Sequence, residues 1–222
     1  MDPKIIYEDG DIIVLDKPSG LQVVPDRHAE RATLEQWLKA RPPAGGQEIH
    51  IVHRIDRETS GVLVAAKTQK AFEFLKKQFQ NREVKKTYRA FVYDELKDER
   101  GIIERPIGSA RGGLGPRSAK KPYGTVRDAV TAWRRIKAGG GVTYVEVFPK
   151  TGRTHQIRVH FAAAGHPILC DPLYASTRAA QLGFGRLALH ALSLSFLHPS
   201  GKTLTFTAPL PPDFLAAEGK LV

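Results

Sequence analysis

Cysteine occurs once in the 222 residues, at Cys170, so no disulfide can close within the chain, and the composition fits a reducing compartment. No apolar run approaches the roughly 18 residues that suggest a membrane-crossing helix. The opening Met1-Asp2-Pro3-Lys4-Ile5-Ile6-Tyr7 lacks the apolar core of a secretory leader. The expectation is a soluble, cytoplasmic protein without membrane contact. Nothing repeats at a fixed period. Acid is in short supply: 34 Lys and Arg stand against 23 Asp and Glu, a formal net charge of +11. Residues 108–121 (GSARGGLGPRSAKK) contain no acid at all. Such a surplus points to a polyanionic partner, most often nucleic acid, because neutralised phosphates release counterions. The rest is ordinary for a globular chain, 41% hydrophobic and 26% charged, and long enough to bury a substantial core as one domain or a compact pair.

Short apolar runs bounded by polar punctuation predict a strand at Ile5–Tyr7, a turn at Asp9-Gly10 and a second strand at Ile12–Leu15. Thr33 reads as the cap of a helix to Ala40 with Trp37 in the core, and Thr68 as the cap of another to Asn81, with Phe72, Leu75 and Phe79 on one face. Residues 84–93 alternate as a strand, Tyr88 being the one polar tip on an otherwise apolar face. As residues alone dictate it, Tyr88 fits a core tyrosine. Residues 129–133 and 142–148 pair through Gly139-Gly140-Gly141. Residues 108–121 predict a flexible basic insert, able to lay Arg111, Arg117, Lys120 and Lys121 on phosphates. Thr154 reads as the cap of a helix to Ala164 that aims His155 and Arg158 the same way. His155 and His160 are five apart rather than the four that aligns two ligands on one helix face, so no metal site is expected. Residues 187–196 predict a buried strand with His190 in the core.

The stretch that organises the chain is His53-Arg54-Ile55-Asp56-Arg57-Glu58-Thr59-Ser60-Gly61, between Ile49–Val52 and the aliphatic run Val62–Ala66. A polar loop between rigid strands is where scaffolds present reactive groups. Two nearby arginines favour an ionised Asp56, able to act as nucleophile or base. The same residues also suit a simple turn closed by Gly61.

This stretch resembles the catalytic motif of the RluA-type pseudouridine synthases. Asp16-Lys17-Pro18-Ser19-Gly20-Leu21, Lys86-Thr87-Tyr88-Arg89-Ala90 and Thr151 to Tyr174 (TGRTHQIRVHFAAAGHPILCDPLY) resemble further motifs of that family, in order, from about Tyr7 to Pro209. The resemblance implies an α+β fold, a single catalytic domain over 1–222 with a central, mostly antiparallel mixed sheet flanked by helices, and no additional N-terminal RNA-binding domain. It implies isomerisation of uridines in structured RNA, 23S rRNA or tRNA stem-loops, by a monomer without metal or other cofactor. Asp56 would be the nucleophile. Tyr88 would stack on uracil and assist proton removal, and Arg158 would pair with the aspartate. Arg54 would fill the gap left by a flipped uridine. Arg153, Lys17 and Lys86 join the loop cations as RNA contacts. The family usually has glycine where Cys170 stands, so the backbone is expected to differ there, with Cys170 an unreactive packing residue.

Two other classes compete. A non-catalytic RNA-binding module explains the charge but not a carboxylate among arginines. A carboxylate-dependent hydrolase of nucleic acid explains Asp56 but lacks a second acid at a motif position.

Overall fold

The β-branched and aliphatic runs fold as strands and the 3.6-periodic stretches as helices. The computed structural model describes residues 2–25, 32–41, 49–110 and 116–221. In chain order the elements are β1 (Lys4–Glu8), β2 (Ile12–Lys17), α1 (Leu34–Lys39), β3 (His50–Ile51), β4 (Ser60–Ala66), α2 (Gln69–Asn81) and β5 (Lys85–Tyr93). Then come β6 (Arg100–Glu104), β7 (Ile107–Ser109), β8 (Arg117–Ser118), β9 (Tyr123–Arg127), β10 (Val130–Gly139) and β11 (Val142–Pro149). The last are α3 (Gln156–Ala163), β12 (Leu189–Leu197), β13 (Thr203–Thr207) and α4 (Pro212–Lys220). They group into two compact units, Met1–Lys86 with Ala191–Pro209, and Thr87–His190 with Leu210–Val222. Both are α+β. Among the described residues no helix is long and apolar enough to cross a membrane.

In the first unit β1 and β2 form the expected hairpin, and Asp9 Oδ1 accepts the N–H groups of Asp11 and Ile12 at 2.8 and 2.9 Å. β2 runs antiparallel to β4 from Ile12 opposite Ala66 to Lys17 opposite Gly61. All seven residues of β4 are buried, which explains a near-continuous apolar run rather than an alternating one. β12 follows β4 in the sheet and carries β13 antiparallel. Gly61 is where a side chain cannot exist. Its φ is +115°, and a Cβ would collide with the Ala191 carbonyl oxygen and lie 2.8 Å from the Ala191 nitrogen. α2 is capped by Thr68, whose hydroxyl accepts the Ala71 N–H at 3.1 Å. Gln78 anchors it through the Leu197 carbonyl and N–H, each at 2.8 Å. Thr33 and Gln36 form a reciprocal capping box on α1. Trp37, expected in the core, is half-buried beneath the Arg41 guanidinium, 5.0 Å from its ring centre.

In the second unit β5, β11, β10 and β6 follow one another antiparallel. Phe91 stacks on Tyr144 at 4.3 Å, and Phe184 and Phe214 close the same aromatic core. α4, which supplies Phe214, has no counterpart in the sequence reading. The described ends of the basic segment are not loose loop. Gly108 pairs with Ser118 and Ser109 with Arg117, and β7 also pairs with β9, giving a three-stranded sheet. Gly108, taken from the sequence as a sign of flexibility, instead permits a close approach, since a Cβ there would meet the Tyr123 carbonyl oxygen at 2.8 Å. Thr154 does not cap α3. The cap is His155, in the left-handed region at φ 55° without a side-chain cap bond. Cys170 likewise keeps the left-handed backbone, at φ 55°, so the expected backbone difference does not occur. The cost, about 1–2 kcal/mol for an L-residue, is offset locally by core packing and by the thiol, which donates to the Phe184 carbonyl at 3.3 Å. Burial raises the thiol pKa, which fits an unreactive packing residue.

Candidate active-site residues

In the first unit Asp56 lies half-buried in the loop between β3 and β4. Its carbonyl accepts the Thr59 N–H at 3.1 Å, forming a tight turn. A second turn, over residues 17–21, grips this one. Ser19 Oγ donates to the Glu58 carbonyl at 2.6 Å, and the Gly20 N–H to the Arg57 carbonyl at 2.8 Å. The Lys17 ammonium donates to the carbonyls of Pro18, Leu21 and Arg57 at 2.9, 2.7 and 3.0 Å. Lys17, read from the sequence as a phosphate contact, is thus a fully buried strut, its three N–H donors turned onto backbone. Arg57 pairs with Glu58 at 2.7 Å. Arg54 is exposed, as an RNA contact must be.

His53 opens the loop as a neutral imidazole. Its Nε2 accepts the Val64 N–H at 3.2 Å and its ring stacks on Phe79 at 4.4 Å. Burial, and then the charge of Lys86, push its pKa down to about 3. Lys86 is half-buried, and burial followed by the nearby Arg82 lowers its own pKa.

In the second unit Tyr88 stands opposite Val147 on β11, half-buried and packed against the main core cluster. Its neighbour Arg89 lies in a cross-strand rung with Glu146 and Arg134, with contacts of 3.0 and 2.6 Å. Arg158 projects from α3 with its side chain buried. Its Nε donates to Asp171 Oδ2 and its Nη2 to Asp171 Oδ1, both at 2.8 Å. Asp171 Oδ1 also accepts the N–H groups of Leu173 and Tyr174 at 2.9 and 3.2 Å. The turn so formed places the Tyr174 ring under the guanidinium, 5.4 Å from its centre. Tyr174 OH bonds His155 Nδ1 at 3.0 Å and accepts the Arg117 N–H at 3.0 Å. His160 spends both ring nitrogens on Thr131 Oγ1 and the Arg105 carbonyl, each at 2.9 Å, and burial lowers its pKa.

Gln156 locks the start of α3. Its Oε1 accepts from Thr151 Oγ1 and the Arg153 N–H, and its Nε2 donates to the Val130 carbonyl and Thr131 Oγ1. Asp171, Tyr174 and Gln156 thus position Arg158, and none was assigned a role in the sequence reading. One signal was available. Asp171 is the only acid in the stretch Thr151 to Tyr174, and a buried arginine needs a carboxylate. Among the remaining basic candidates, Arg153 donates through Nε to the Asp128 carbonyl at 3.1 Å and Arg117 through Nη1 to Ser109 Oγ at 3.2 Å. Lys120 and Lys121 are exposed. Arg111 lies outside the described residues.

The first unit holds a carboxylate on a braced loop, and the second holds a tyrosine on a core strand and an arginine in a buried fork. The sequence model of the RNA pseudouridylate synthase family matches residues 11–163. The chain belongs to that family. It is 37% identical over 216 residues to an uncharacterised RNA pseudouridine synthase of Synechocystis, covering 95% of this chain and 66% of the relative. It is 41% identical over 236 residues to the ribosomal large subunit pseudouridine synthase D of Neisseria meningitidis serogroup B, covering 94% and 58%. With the ribosomal large subunit pseudouridine synthase C of Vibrio cholerae the identity is 37%, covering 93% and 65%. The chain therefore spans 58% to 66% of the length of these curated relatives. The structure of human RNA pseudouridylate synthase domain containing 1 superposes with a TM-score of 0.78 at 27% identity, covering 95% of this chain and 84% of that one.

Proposed function

We propose that the protein isomerises specific uridines to pseudouridine in structured RNA, with Asp56 as the nucleophile. The observation that carries this is the bracing of the Asp56 loop, within the matched segment, by Lys17, Ser19 and Gly20. Such fixed geometry serves a reaction more than a binding surface. The carboxylate attacks the ribose or the uracil ring, and the glycosidic C1′–N1 bond breaks. The base turns and rejoins through a C5–C1′ bond, the bond to the Asp56 oxygen breaks to return the carboxylate, C5 loses its hydrogen as a proton, and N1 gains one. No redox step and no phosphate donor enter the balance. Tyr88 stacks on uracil and assists removal of the C5 proton, Arg158 acts as a fixed cation, and Arg54 occupies the gap left by the flipped base. The RNA is ribosomal or transfer RNA, in line with relatives named for the ribosomal large subunit, and Arg153 with the exposed loop cations meets its phosphates.

RNA labelled with tritium at uracil C5 tests the reading. The protein should release label to water without strand scission or free uracil, and Asp56→Asn should bind the same RNA but release none above background. Tyr88→Phe should fold and bind normally while turning over roughly 100-fold more slowly or worse, the scale of general acid–base assistance. Binding without release from any cellular RNA would make the protein a binding module. Strand or base loss would make it a hydrolase.

A further inference from the structure

From Arg105 to Arg127 the chain carries six cations, Arg105, Arg111, Arg117, Lys120, Lys121 and Arg127, and no acid. The small sheet gathers part of this charge around an aromatic ring. Its strand order is β8–β7–β9, so β9 is an edge strand, and all five of its residues are exposed. Residues opposite one another in adjacent strands share a face. Ser109 stands opposite Arg117 on one side and Tyr123 on the other. Arg117, Ser109 and Tyr123 therefore form one rung, and beyond a register shift Arg127 stands opposite Ile107, which is buried against Ala129 and Val159. The register shift between the two rungs includes Gly124, at φ +68°. Arg117 Nη1 reaches Ser109 Oγ, which draws the guanidinium across the middle strand, towards the tyrosine's place in the rung. Tyr123 is 61% exposed.

A ring on a strand that ends the sheet among the described residues, flanked by cations with no carboxylate in the segment, offers RNA two handholds. The cations suit any phosphate backbone. The ring face is of use only to a base that is unpaired and can be splayed onto it. We propose that β7, β8 and β9 form a docking surface for unpaired nucleotides of structured RNA. Tyr123 stacks on one base, and Arg117, Lys120, Lys121 and Arg127 take the neighbouring phosphates. This rests on the protein acting on RNA but concerns recognition rather than the chemistry. The same rung leads inward, since the Arg117 N–H donates to Tyr174 OH, whose ring underlies Arg158. RNA seated on the sheet thus bears on the tyrosine that positions that arginine.

The test uses the full chain and two fluorescent probes, an RNA stem-loop with a uridine-rich loop and a fully paired RNA duplex of equal length, over a salt series. Tyr123→Ala, at an exposed site, should leave the melting curve unchanged. It should weaken stem-loop binding by about 5- to 150-fold, the loss of one base–aromatic stack. Its salt slope and duplex affinity should match those of the native chain, and Tyr123→Phe should bind as the native chain does. Replacing Lys120, Lys121 and Arg127 by Ala should weaken both probes and flatten the salt slope by up to about 0.7 to 0.9 for each phosphate no longer neutralised. Undiminished stem-loop binding by Tyr123→Ala, or an equal loss on the duplex, overturns the proposal, as does failure of the native chain to bind the stem-loop. Tritium release separates this from the catalytic reading. Tyr123-dependent binding without release keeps the surface and removes the enzyme, whereas release with Tyr123-independent binding does the reverse.

Discussion

Cutting the Arg158–Asp171 fork should be among the most costly single changes to the second unit. Both Asp171 oxygens receive a guanidinium N–H at 2.8 Å, and the two side chains are 1% and 0% exposed. Asp171→Ala leaves the guanidinium buried without this carboxylate, which costs about 3–5 kcal/mol in comparable buried pairs. It also strips the Leu173 and Tyr174 N–H groups of their acceptor. For a chain of this length each kcal/mol moves the midpoint by about 2–4 °C, so the fall should be roughly 6–20 °C. Asp171→Asn keeps an acceptor for the turn but loses the charge, and should fall slightly less. The double variant Arg158→Met/Asp171→Leu removes both charges together, and apolar replacement of a buried pair is often neutral. It should regain much of the stability yet release no tritium, because the fixed cation is gone. Urea unfolding followed by circular dichroism and by tryptophan fluorescence, with coincident transitions required, gives the values. A loss under about 1 kcal/mol for Asp171→Ala would mean the pair is solvated rather than buried. Normal turnover by the double variant would remove Arg158 from the active site.

Three further outcomes concern Lys17, Cys170 and His53. Lys17→Met should cost about 2 kcal/mol or more, since it strips the Pro18 and Leu21 carbonyls of this donor at roughly 1–3 kcal/mol each and leaves the Arg57 carbonyl only the Gly20 N–H, and should slow turnover by loosening the Asp56 loop; a reduced salt slope of RNA binding with stability intact would instead return Lys17 to phosphate contact. Cys170→Gly should be more stable than Cys170→Ala by about 1 kcal/mol, because only glycine escapes the left-handed penalty; equal stability in urea would show the φ of 55° to be unstrained. His53, whose pKa falls from 6.5 to about 3 on folding, takes its proton first in the unfolded chain. Its contribution is complete above about pH 6.5 and is lost as pH falls towards 3, by at most about 1.4 kcal/mol per unit, and less if the half-buried ring keeps some hydration. His53→Gln retains an acceptor for the Val64 N–H without titrating there, so stability curves of the two proteins that run parallel from pH 7 to pH 4 would refute this account.

What the sequence made legible was what is encoded within a turn or two of chain. Thr68 announces α2 by its hydroxyl and by the spacing of Phe72, Leu75 and Phe79, and the helix runs Gln69–Asn81 as read. The all-buried β4 is visible as an unbroken aliphatic run. Gly61 closes the Asp56 motif for a reason 130 residues away, the Ala191 carbonyl, and pattern alone could place it only as a turn residue. Lys17 fails the same way and more sharply. A lysine beside Pro18 and Gly20 reads as a turn cation for phosphate, and the partner that makes it a strut, the Arg57 carbonyl, comes 40 residues later. Arg158 reads as a helix cation aimed with His155 and, by resemblance, paired with Asp56, while its fork with Asp171 spans 13 residues of helix and turn. The basic segment misleads in the opposite sense, because Gly108 looks like slack but marks a close approach to Tyr123. In each case the side chain's chemistry was legible and its partner was not. Local pattern located the Asp56 loop but left the groups that hold it, and those that hold Arg158, to long-range folding. Under the proposed mechanism, tritium release should therefore slow by up to about 100-fold when Lys17, Asp171 or Tyr174 is changed, short of the complete loss expected of Asp56→Asn.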